Sequence, residues 1–112
     1  MRNLELVRER YLQDGLRTRL GGLASNLARI ASCSSDPDDW EVVQSMLEES
    51  KFFIEWAAPA ASLNVQVHLA KLQIDLALWH RVWPEVHTDP DKREKLAQLA
   101  RSQSVSILAL RG

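Results

Sequence analysis

The chain has 112 residues, 46% hydrophobic and 26% charged, with a formal net charge of −1. That balance excludes a disordered chain, which needs low hydrophobicity and a large net charge, and leaves no global field to draw nucleic acid or a membrane surface. One cysteine, Cys33, excludes an intramolecular disulfide, and no apolar run approaches the roughly 20 residues of a membrane span. A cytoplasmic protein with residues 1–112 as a single helical-bundle domain is expected, with no signal peptide in its charged first 20 residues.

Residues 1–33 carry six arginines against Glu5, Glu9 and Asp14, a net of +3, and the first helical segment spans roughly 3–33. Leu16, Leu20, Leu23, Leu27 and Ile30 form a seam with alternating spacings of four and three. Leu4, Val7 and Tyr11 form a second stripe, about 150° around the helix from that seam at 100° per residue. The phase changes near Asp14-Gly15, so residues 1–13 are expected as a projecting overhang or a short extra helix.

Residues 34–58 hold seven acids against Lys51, a net of −6, and should lie beside the basic first segment. Asp36-Pro37-Asp38 and Asp89-Pro90-Asp91 each read as a helix start: a capping carboxylate, a proline at the first helical position, then an acid near the positive helix end. The second segment, 37–57, has its seam at Trp40, Val43, Leu47, Ile54 and Ala57. Trp40 is expected to plug one end of a bundle.

The third segment, 61–83, has apolar residues on two faces. One comprises Leu63, Val67, Ala70, Ile74, Ala77 and Leu78, and the other Val65, Leu69, Leu72, Leu76, Trp79 and Trp83. Polar stripes separate them: Asn64, His68, Lys71 and Asp75 on one side, and Gln66, Gln73 and His80 on the other. A surface helix of a monomer needs only one apolar stripe. The fourth segment, 90–110, has an ordinary stripe through Leu96, Leu99, Ala100, Ile107 and Leu110. Short connections make neighbours antiparallel, so an all-α, four-helix up-and-down bundle is expected.

Chemistry-bearing patterns are sparse. No two histidines or Glu-His pair share a helix face at metal-ligand spacing, so neither metal nor cofactor is expected. Gly21-Gly22 follows no strand and is no phosphate loop, and Cys33 near a helix C-terminus is poorly placed to form a thiolate. The six arginines surround the first segment and do not make one nucleic-acid-reading face.

His68-Leu69-Ala70-Lys71 on a helix of a small all-α chain resembles the histidine phosphotransfer domains, which are four-helix bundles. The resemblance implies His68 as phosphoryl acceptor and Lys71 as its balancing charge. In that family a glycine follows the lysine, and Leu72 stands there in this chain.

The surplus apolar surface points instead to a non-catalytic protein–protein interaction module, with a second copy as the simplest partner. The face Val65, Leu69, Leu72, Leu76, Trp79 and Trp83 is expected to carry that interface, with Leu4, Val7 and Tyr11 from the overhang. Phosphotransfer through His68 is one alternative. Binding of an apolar small ligand between helices is another.

Overall fold

The computed structural model describes residues 3–111. Its helices are α1 (Leu4–Gln13), α2 (Leu16–Ser34), α3 (Trp40–Ala57), α4 (Leu63–Val86) and α5 (Pro90–Arg111). Single 3₁₀ turns, Pro37–Asp39 and Ala58–Ala60, lead into α3 and out of it. No strand occurs among the described residues.

Helices α2 to α5 form the bundle. Sequential helices pack together, and α5 closes the ring against α2, which leaves α4 diagonally across from α2. The α2–α5 seam is the most extensive and is built from small buried residues: Ala24, Ala31, Ala97, Ala100 and Ser104. Ser104 Oγ donates to the Ala24 carbonyl at 2.7 Å across it. The basic and acidic segments do lie side by side as α2 and α3, joined by Asn26 Nδ2 to Glu49 Oε1 at 3.1 Å.

Both Asp-Pro-Asp sites cap a helical start. Asp89 Oδ1 accepts from the amides of Asp91 and Lys92 at the head of α5. Asp36 Oδ1 accepts from the Asp38 amide at 2.9 Å, but the turn it caps is 3₁₀ and becomes α-helical only at Trp40. The third segment runs past its expected end, because Pro84 sits inside the last turn of α4. A proline there removes one amide donor, and the His87 amide still reaches the Trp83 carbonyl at 3.0 Å.

The break near Asp14-Gly15 is present: both residues are extended, with ψ of 151° and 163°. Of the two expected forms, α1 takes the short extra helix and does not project as an overhang. It turns back so that Tyr11 stacks on Phe53, with ring centroids 4.2 Å apart and planes 9° apart. The Tyr11 hydroxyl donates to the Arg19 carbonyl at 2.8 Å. Burial pushes the Tyr11 phenol pKa upward, so it stays protonated and keeps that bond.

One hydrophobic cluster draws side chains from all five helices. Aromatic groups close it at both ends of α3. Tyr11, Phe53 and Trp56 meet near the C-terminal end. At the other end Trp83 Nε1 donates to the Trp40 carbonyl at 2.8 Å, and the half-exposed Trp40 ring stacks on His87.

Candidate interaction surface

Helix α4 carries the features that bear on function, and each of its four stripes has a distinct environment. Leu69, Leu72, Leu76, Trp79 and Trp83 are buried, Trp83 to 1% exposure, and Val65 packs half-buried against them. These residues fill the core of their own chain. The expectation that this face meets a second copy is therefore corrected: it is the inside of the bundle. Tyr11 is likewise buried and Val7 is partly covered, so of the α1 stripe only Leu4 is open to solvent.

The two polar stripes border the core face and hold α4 to its neighbours. On the α3 side, Gln66 Nε2 donates to the Ala58 carbonyl at 2.9 Å and Gln73 Nε2 to the Lys51 carbonyl at 3.2 Å. On the α5 side, His68 Nε2 lies 3.3 Å from Gln103 Oε1. His68 is half-buried in this seam, Lys71 is exposed, and Leu72 after it belongs to the core. The engagement with Gln103 supports a structural role for the His68 ring, as a tie between two helices.

His80 completes the α3-side stripe. Its Nδ1 lies 3.0 Å from Lys51 Nζ, so the neutral ring accepts a hydrogen bond from the ammonium. Burial, and then the Lys51 charge, push the His80 pKa below its ordinary 6.5. The folded chain thus resists a proton that the unfolded chain accepts. The His80 contribution is complete above about pH 6.5, falls as the pH drops below that value, and levels off beneath the lowered folded pKa. Denaturant unfolding at about pH 7.5 and about pH 5.5 should show a smaller acid loss for His80→Gln than for the parent, since glutamine keeps an acceptor for Lys51 and does not titrate.

The fourth stripe, opposite the core, is the remaining apolar face. Leu63 and Ile74 are 74% and 70% exposed, and Val67 and Leu78 are about half-exposed. Leu63, Val67, Ala70, Ile74 and Ala77 follow spacings of 4-3-4-3, the repeat of a coiled-coil seam. Arg81 and Glu85 continue the face after it. Leu99 of α5, one turn before Gln103, is exposed on the side nearer α4.

Both apolar faces are as expected, but the one expected to be an interface is the buried one. A discriminating signal was present. The core face runs without a charge from Val65 to Val86, whereas Arg81 and Glu85 interrupt the other. The face carrying two tryptophans also has the volume to fill a bundle.

The grooves at the other seams are open and lined by charged residues. One of about 340 Å³ lies between α2 and α3, beside Arg29, Glu41 and Glu49. Another of about 320 Å³ lies between α3 and α4, beside Glu48, Lys51 and Glu55. In both, charged side chains share the lining with apolar ones (Val42 and Met46 in the first, Phe52 and Ala77 in the second), and a hydrophobic ligand there would have to desolvate those charges. No helix among the described residues is long and apolar enough to cross a membrane, and no three of their His, Cys, Asp or Glu residues converge as metal ligands. Comparisons with protein-family models, curated proteins and solved structures give no match for this chain.

Proposed function

We propose that this protein is a non-catalytic helical module that acts by protein–protein association, and that its first partner is a second copy of itself, met through the outward face of α4. The observation that carries the reading is the heptad-spaced stripe Leu63, Val67, Ala70, Ile74 and Ala77, displayed on a helix whose opposite face already fills the core. Contiguous apolar surface rimmed by polar residues marks an interaction site. The lone, half-buried Cys33 suits a reducing, cytoplasmic setting for the module.

Sedimentation at micromolar concentration should give a dimer, and a monomer would overturn the proposal. Ile74→Glu places a carboxylate in the seam from each copy and should raise the dissociation constant roughly 100-fold or more. Since Ile74 is exposed within one chain, unfolding of the variant monomer should change by no more than about 0.5 kcal/mol.

A further inference from the structure

The outward stripe of α4 is unevenly sized, and that unevenness constrains how two copies can meet. Reading along the 4-3 repeat, Val67 and Ile74 alternate with Ala70 and Ala77, and Leu63 and Arg81 stand at the two ends. In an antiparallel helix pair, the two kinds of seam position oppose each other. Val67 then faces Ala77 of the second copy, Ala70 faces Ile74, and Leu63 faces Arg81. Each β-branched side chain, Val67 and Ile74, meets an alanine methyl group, so the helices can approach closely there without a void or a clash.

A parallel pair uses the same stripe badly. It sets Ala70 against Ala70 and Ala77 against Ala77, which leaves gaps between layers of Val67 and Ile74. It also sets the Arg81 guanidinium against its own copy inside the seam. The antiparallel pair instead lays the Arg81 stem over Leu63. It brings Glu85 toward the N-terminal end of the second α4, where the helix dipole is positive.

Resting on the self-association reading above, we infer that two copies join by an antiparallel α4–α4 seam, with Val67 against Ala77 and Ala70 against Ile74, on a two-fold axis that crosses the outward face midway between Ala70 and Ile74. The placement of α4 agrees, because a helix diagonally across from α2 forms a corner of the bundle and can lie along another without displacing its neighbours. The operator is closed, so the assembly stops at two.

Spin labels read this geometry directly. With Cys33 replaced by serine, one sample carries Lys71→Cys and a second carries Glu85→Cys, each labelled on the full chain. Lys71 lies one residue from the axis, so its two labels should sit within about 20 Å of each other. Glu85 lies thirteen residues away, so at about 1.5 Å per residue its labels should stand about 40 Å apart along the helix direction.

Short distances for both labels would mean a parallel pair and overturn the inference while self-association stands. A long Lys71 distance with a short Glu85 distance would mean an antiparallel pair in another register, which also overturns it. Sedimentation of the same samples separates these from a monomer, which would overturn the self-association reading itself.

Discussion

Trp83→Ala should lower the unfolding free energy by about 3–5 kcal/mol, the range for removing a large aromatic side chain from a packed core. The ring is 1% exposed and touches the end of the bundle where α3 begins. Its loss leaves a cavity and takes the indole donor from the Trp40 carbonyl. Trp83→Phe separates these effects: it restores much of the apolar volume and still leaves that carbonyl unpaired, so about 1–3 kcal/mol should be lost. Denaturant unfolding followed by far-ultraviolet circular dichroism measures both. The same experiment distinguishes core from interface. Lost packing inside one chain destabilises the variant monomer directly, while damage to an interface alone leaves monomer stability unchanged.

Tyr11→Ala should release α1 and leave the bundle folded. Tyr11 is the buried residue of α1, held by Phe53, Trp56 and the Arg19 carbonyl. Truncating a buried, stacked aromatic ring costs about 3–5 kcal/mol, and the loss falls on docking of this one helix. A ten-residue helix has too little length to persist alone in water, so undocked α1 should melt. Amide hydrogen exchange should then show residues 4–13 nearly unprotected, with α2 to α5 still protected. Equal loss of protection in α2 and α5 would show that α1 is a cooperative part of the core. Tyr11→Phe, which removes only the hydroxyl, should cost about 1 kcal/mol.

Local rules accounted for most of the architecture. Asp36, Pro37, Asp89 and Pro90 mark their helical starts because capping and proline geometry act within a few residues. The phase shift between the Leu4–Tyr11 stripe and the Leu16–Ile30 seam located the break at Gly15 for a similar reason. Features set by tertiary packing have no such local signature. Pro84 lies inside α4 although a proline usually ends a helix, and the helix continues past it to Val86. The return of α1 onto Phe53 needed a contact 42 positions away, which no local pattern encodes. On α4 the periodicity correctly described two apolar faces, but periodicity alone does not rank them. Volume and uninterrupted apolarity decide which face goes inward.

The hydrogen bonds from Gln66, Gln73 and His68 fix more than the position of α4. A turn of roughly 100° about the helix axis would exchange a border stripe for an apolar one. It would break ties to α3 and α5 together and pull Trp83 from Trp40. The helix therefore cannot trade its outward face for its inward one while the bundle stays folded. Two copies would have to meet as finished surfaces, with no refolding step before contact. Their encounter should follow ordinary docking kinetics, at about 10⁵–10⁷ M⁻¹s⁻¹, and changes in the outward stripe should act mainly on how long the pair stays together.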